Sequence, residues 1–330
     1  MKKSIRNVLA MGSAAALLTV AGCAAAGSAD VATDAPVADE APMSALAAYD
    51  LSGVSVAVGS KDFDEQLILG EIMVAAFEEA GAEVDNKVNL GGTSIARAGL
   101  ESGDIDIYME YNGTGWAVHL GQEDPSFDPE ELTTSVREMD LEKNGIVWVG
   151  RSPFNNTYAF TSSPEVTEAN GGAFTLQTMM EYVRDNPEAK VCMESEFPSR
   201  PDGLILTENA TGIKLAVDQQ LILDTGIIYT ETAANNCDFG EAYATDGRIP
   251  ALKLTLVTDP GVNILYNVSG TIREEKYNEA PDAFDGIIND ILAPLDETRM
   301  AGLNALVSAE GQDAADVARA YLVEEGLIAG

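Results

Sequence analysis

From residue 54 onward, short β-branched runs alternate with longer segments whose apolar residues recur at helical spacing. Val54-Ser55-Val56-Ala57-Val58-Gly59 has the pattern of a strand. A polar loop, Ser60-Lys61-Asp62-Phe63-Asp64, follows. Leu67, Ile68, Ile72, Ala75, Ala76 and Ala80 then fall on a helix that Gly81 stops. Residues 87–90 predict the next strand, Gly91-Gly92-Thr93-Ser94 leads into a helix over 95–100, and 105–108 returns to strand. The order continues with strands at 147–149, 189–193 and 239–243, a strand that takes in Tyr229, and a helix over 176–184. From Asp282 the pattern is helical, through Phe284, Ile287, Ile288 and Ile291, then Met300, Leu303 and Leu306, then 314–325. Such alternation predicts α/β architecture with largely parallel sheets, in which ligands bind in loops beyond the strand carboxyl ends.

The first residues read as an export signal. Lys2, Lys3 and Arg6 precede an apolar run over 8–20, short of the roughly 20 residues a membrane span needs. The run ends in Val20-Ala21-Gly22-Cys23, which resembles the lipobox of bacterial lipoproteins. The expectation is a signal peptide over 1–22, diacylation of Cys23, and a protein held on the outer face of the cell membrane. Residues 23–51, rich in Ala, Asp, Ser and Pro, read as a flexible tether. The remaining stretch, about 280 residues, suffices for two lobes of ordinary size.

The chain has 19 basic and 54 acidic residues. Without Lys2, Lys3 and Arg6 the balance is 16 against 54, a net charge of −38. That surface repels nucleic acid and anionic lipid, and it suits solubility in a salty medium. Cys192 and Cys237 remain as an even pair outside the cytosol, which suggests a disulfide. His119 is the one histidine of the chain; with no CxxC spacing, neither a metal site nor another cofactor site is expected. A nucleophile would also lack its base, so an enzyme is not expected.

Six segments carry a family resemblance: 59–66 (GSKDFDEQ), Gly91-Gly92-Thr93, 108–114 (YMEYNGT), 155–159 (NNTYA), 196–203 (EFPSRPDG) and 244–249 (ATDGRI). In this order they resemble the glycine betaine/choline/proline betaine-binding proteins of ABC osmolyte importers, over residues 54 to about 325. The resemblance implies the periplasmic-binding-protein fold of type II, two α/β lobes joined by two crossing strands. Lobe one would combine 52–155 with 264–330, lobe two would span 156–263, and the hinges would lie near Asn155 and Asn263. It also implies a monomer working with ABC permease subunits. Tyr111, Tyr158, Tyr243 and Tyr266 match a cage for a trimethylammonium head. Lys61, Thr114 and Arg200 match the group that holds the ligand carboxylate, and Glu196 matches an acidic neighbour of the cage. Asn156 stands where some relatives carry aspartate, which removes a negative charge near the head group.

Physical chemistry supports such a pairing. A quaternary ammonium has no N–H to donate, and aromatic faces attract its spread charge by roughly 0.5–2 kcal/mol per ring. Arginine offers a planar fork to a carboxylate. Two buried cations, Lys61 and Arg200, would require an anion, so a carboxylated ligand is expected over choline. Choline, carnitine or sulfonium ligands, and a sensor without transport, remain the alternatives. Tyr108 is expected to pack inside, and Arg248 to pair locally with Asp246.

Overall fold

The computed structural model describes residues 44–330. Along the chain the strands are β1 (Ser55–Lys61), β2 (Glu83–Gly91), β3 (Ile107–Tyr111), β4 (Ile146–Val149), β5 (Tyr158–Ser162), β6 (Val191–Met193), β7 (Gln220–Ile222), β8 (Phe239–Tyr243), β9 (Thr255–Leu256) and β10 (Val268–Arg273). They form two five-stranded sheets, ordered β2-β1-β3-β10-β4 and β7-β6-β8-β5-β9. In the first, β1 is parallel to β2 and β3, while β10 runs antiparallel between β3 and β4. In the second, β6 is parallel to β7 and β8, while β5 runs antiparallel between β8 and β9. Each sheet thus has one reversed strand, and that strand is the one the chain enters on crossing from the other sheet.

The two crossing segments are tied together. Asn156 N donates to Tyr266 O at 3.1 Å, Asn155 Oδ1 accepts from Tyr266 N at 2.7 Å, and Thr157 Oγ1 donates to Ile264 O at 2.7 Å. The first sheet therefore draws on chain before 150 and after 267, and the second on the chain between.

The helix Asp64–Glu79 places Asp64 and Glu65 in its first turn, where the helix dipole favours acids. It buries Ile68, Leu69, Ile72, Met73, Ala76 and Phe77. Against it pack the helices Pro281–Leu292, Glu297–Ser308 and Ala314–Glu324, with Phe77 and Phe284 meeting edge to face at 5.7 Å. Cys192 in β6 and Cys237 just before β8 form a disulfide, their Cα atoms 5.9 Å apart.

Three expectations change. The second strand starts at Glu83, not near residue 87, because β2 is a half-exposed edge whose polar residues hide the strand pattern. Tyr229 lies in the helix Thr225–Ala233 and not in a strand. The run Ile227-Ile228-Tyr229-Thr230 has strand composition, but packing of Ile228 and Thr232 against Gly240 of β8 decides the outcome. Residues 44–51, expected as the end of a tether, are packed on the body: Leu46 and Leu51 are fully buried, and Leu46 N donates to Leu327 O at 3.0 Å. Cys23, the signal segment and the rest of the tether lie outside the described residues.

Candidate ligand-binding site

The strand ends deliver aromatic side chains to one point between the sheets. Tyr111 ends β3, and Phe63 follows β1 immediately before the helix Asp64–Glu79. Tyr158 opens β5 and Tyr243 ends β8; the two are register partners in the antiparallel pair. Tyr111 is the register partner of Val268, so Tyr266 falls two residues beyond that ladder, on the returning segment.

Five rings close a circuit. Centroid separations are 6.2 Å for Phe63–Tyr111, 6.3 Å for Tyr111–Tyr266, 5.4 Å for Tyr266–Tyr158, 5.5 Å for Tyr158–Tyr243 and 5.0 Å for Tyr243–Phe63. A regular pentagon with their mean side has its centre about 4.8 Å from each centroid, inside the roughly 6 Å reach of a cation–π contact. Burial raises all four tyrosine hydroxyls well above their ordinary pKa, so the rings are neutral phenols. The rings line a cleft of about 780 Å³, together with Lys61, Thr93, Thr114, Asn156, Glu196 and Arg200.

The cations are already paired. Lys61 Nζ is 2.7 Å from Glu110 Oε1, and it stands 5.2 Å from the Tyr111 centroid. Glu110 is fully buried and also accepts from Tyr108 OH and Tyr111 N, both at 2.8 Å, with His119 Nε2 at 2.9 Å. Burial pushes the Glu110 carboxyl up, but Lys61 and His119 outweigh it and hold the group far below the usual range. Tyr108 is fully buried, as its place on the strand implied.

Arg200 has every N–H committed. Nε and Nη2 hold Asp202 at 2.9 and 2.7 Å; Nη1 reaches Thr93 Oγ1 at 3.0 Å and Glu196 Oε2 at 3.2 Å; Nη2 also reaches Thr114 Oγ1 at 3.3 Å. Five donors therefore meet five acceptors. Asp202 accepts Tyr266 OH at 2.7 Å as well. The expectation of two buried cations that need a ligand anion is thereby corrected: each has its own carboxylate, Glu110 for Lys61 and Asp202 for Arg200. Thr93 and Thr114 come from the first lobe, so Arg200 also ties the lobes together.

Glu196 leans over the N-terminus of the helix Thr93–Ser102, so close that a Cβ on Gly92 would collide with its carboxylate. Asn156 donates to Glu65 Oε1 at 2.8 Å and accepts from Thr245 N at 3.2 Å. A carboxyl group, Glu65, thus stands directly beside position 156, behind the aromatic circuit. Arg248 pairs with Asp246 at 2.6 Å, as expected, and also with Asp64 at 3.1 Å.

All nine residues expected at the site line this one cleft. The sequence reading missed Phe63, Glu65, Thr93, Glu110 and Asp202. Phe63 carried a signal, an aromatic residue in the loop after the first strand. Glu110 carried another, an acid within an otherwise apolar strand.

The chain matches the family model described as the substrate-binding domain of ABC-type glycine betaine transport systems, over residues 54–324. It is 33% identical over 278 residues to the glycine betaine-binding protein YehZ of Escherichia coli, covering 82% of this chain and 90% of that one. It is 31% identical over 278 residues to a glycine-betaine-binding protein of Pseudomonas aeruginosa, covering 82% of this chain and 88% of that one. The structure of apo YehZ from E. coli superposes with a TM-score of 0.60 at 33% identity, covering 83% of this chain and 99% of that chain. A glycine betaine/carnitine/choline ABC transporter structure shares the fold, with a TM-score of 0.64 at 22% identity, covering 82% and 99% of the two chains. With a two-lobed fold, a shared cleft and a family match that spans both lobes, the chain belongs to the substrate-binding domains of ABC-type glycine betaine transport systems.

Proposed function

We propose that the protein is the extracytoplasmic, lipid-anchored receptor of an importer and that it captures glycine betaine or a close carboxylated quaternary amine. The observation that carries this reading is the closed circuit of Phe63, Tyr111, Tyr266, Tyr158 and Tyr243. A ring of neutral aromatic faces attracts a cation that offers no N–H, whereas a primary ammonium would lose its hydrogen bonds to water there without replacement. Five contacts of roughly 0.5–2 kcal/mol each bracket the 8 kcal/mol or so of a micromolar complex, after the cost of closing the lobes.

The carboxylate end falls to Arg200, Thr93 and Thr114. Glu196 occupies one Arg200 N–H and crowds the adjoining helix N-terminus, so an incoming carboxylate takes its place there. Lys61 acts from behind Tyr111, with its charge balanced by Glu110. The pairing of both cations favours a second reading, in which choline or carnitine also binds without a large penalty. The relative in Listeria monocytogenes at 25% identity, a carnitine transport binding protein, is consistent with that breadth.

Calorimetric titration of the mature protein with glycine betaine, carnitine, choline and a sulfonium analogue tests the assignment. Glycine betaine is expected to bind, and more tightly than choline. Failure of every quaternary amine to bind would overturn the cage; tighter binding of choline would overturn the ligand preference alone. Mass spectrometry of the membrane-extracted protein is expected to find a diacylated Cys23 as the first residue.

A further inference from the structure

Glu65 is the second residue of the helix Asp64–Glu79, almost fully buried, and it does not line the main cleft. Its Oε1 accepts from Tyr111 OH and Asn156 Nδ2, both at 2.8 Å. Its Oε2 accepts from Thr245 Oγ1 at 2.5 Å and Asn304 Nδ2 at 2.8 Å. Four donors fill a carboxylate's capacity. They come from both sides of the cleft: Tyr111 and Asn304 from the first lobe, Thr245 from the loop after β8 in the second, and Asn156 from the crossing segment. The donors are also joined to each other, Thr245 N to Asn156 Oδ1 at 3.2 Å and Asn304 Nδ2 to Thr245 O at 3.0 Å.

The charge balance singles this group out. Lys61 is matched by Glu110, Arg200 by Asp202 and Glu196, and Arg248 by Asp246 and Asp64. Glu65 is held by neutral donors only, so its charge faces no protein cation in contact. Glu241, another buried acid near the tyrosines, accepts one N–H on Oε2 and leaves Oε1 unpartnered, and burial, with Glu194 beside it, pushes its carboxyl well above the usual range. Position 156 cannot carry a second charge beside Glu65, since two carboxylates at 2.8 Å would have to share a proton.

We propose that Glu65 and Asn156 form a single-charge latch, which holds the lobes closed behind the cage and balances the bound cation through Tyr111. Glu65 is a positioning residue in this scheme. The proposal rests on the quaternary-amine reading above. The groups around Glu65 are Tyr111, Asn156, Thr245 and Asn304 in contact, with Asp64, Asp246 and Arg248 beside them. Burial raises the Glu65 pKa against the opposing pull of its four hydrogen bonds. Affinity carried by its charge is therefore complete above that raised pKa and lost as pH falls through it.

The test is glycine betaine titration of wild type, Glu65→Gln, Asn156→Asp and the double variant, from about pH 5 to 8, with unfolding of each measured without ligand. Glu65→Gln is expected to lose about ten- to hundredfold in affinity, the scale of charge-assisted hydrogen bonds, and to lose the acid-side fall of the profile. Asn156→Asp alone is expected to weaken binding and shift that fall. The double variant, which moves the one charge across the latch, is expected to return to within about tenfold of wild type. Wild-type affinity in Glu65→Gln, or a double variant no better than the weaker single, overturns the latch. If Glu65→Gln does not fold, Asn156→Asp decides: an unchanged affinity and profile refute the proposal. A wild type that binds no quaternary amine refutes the ligand reading instead.

Discussion

Replacing Arg200 with alanine separates a ligand clamp from an interlobe clamp. The substitution removes five N–H donors, all of them engaged. Asp202, 1% exposed, keeps Tyr266 OH but loses both guanidinium bonds, and Thr93 and Thr114 lose their tie to the second lobe. Breaking a buried pair by removing one partner costs about 3–5 kcal/mol, because the remaining charge stays desolvated. At about 2–4 °C per kcal/mol for a chain of this class, the lower figure is a fall of about 6–12 °C in the unliganded Tm. Because the lobe contacts are lost whatever the ligand, choline should weaken along with glycine betaine. Differential scanning calorimetry without ligand and titration of both ligands give the answer. Arg200→Ala with Asp202→Ala should recover part of the lost Tm. An unliganded Tm within about 1 °C of wild type, with choline affinity unchanged, would refute the reasoning and return Arg200 to the ligand alone.

Phe63→Ala should weaken betaine binding by about two- to thirtyfold, the worth of one ring. Tyr158→Phe should be nearly silent, since among the described residues its hydroxyl makes no hydrogen bond, whereas Tyr111→Phe and Tyr266→Phe lose the bonds to Glu65 and Asp202 and should cost more. Equal titrations for all three phenylalanine variants would contradict this ordering. Glu196→Gln should tighten glycine betaine by about two- to fivefold, the scale of a partly exposed ion pair, without helping choline. Equal gains for both ligands would count against displacement of Glu196 by a carboxylate. Cys192→Ser should destabilise the protein by about 2–5 kcal/mol in urea unfolding, and the wild type, unfolded without reductant, should show no free thiol from Cys192 or Cys237.

The architecture was legible where local pattern and tertiary packing agree. The buried strand β1 announces itself by composition, whereas β3, expected over 105–108, lies at Ile107–Tyr111, and β2 pairs on one side only, so water tolerates the polar residues that mask it. Tyr229 was misplaced because a β-branched run describes a packed surface of either kind, and contact with Gly240 selects the helix. The first sheet's lobe is built from both ends of the chain, a feature that periodicity alone does not reveal.

The four tyrosines of the circuit lie at strand ends and in loops, where no period marks them, so they were reached only through the order of the motifs around them. Their partners were harder. Lys61 and Glu110 are 49 residues apart, Arg200 and Thr93 107, Glu65 and Thr245 180, and Glu65 and Asn304 239. With 54 acids in the chain, most of them solvating the surface, the few that set the site's electrostatics are not conspicuous. The reading therefore assigned Lys61 and Arg200 a missing anion that the fold already supplies. What survives is a sharper physical statement about the site. With Lys61 and Arg200 each holding its own carboxylate, the preference for a cationic head that we propose rests on the aromatic circuit, with Glu65 held behind it by neutral donors alone.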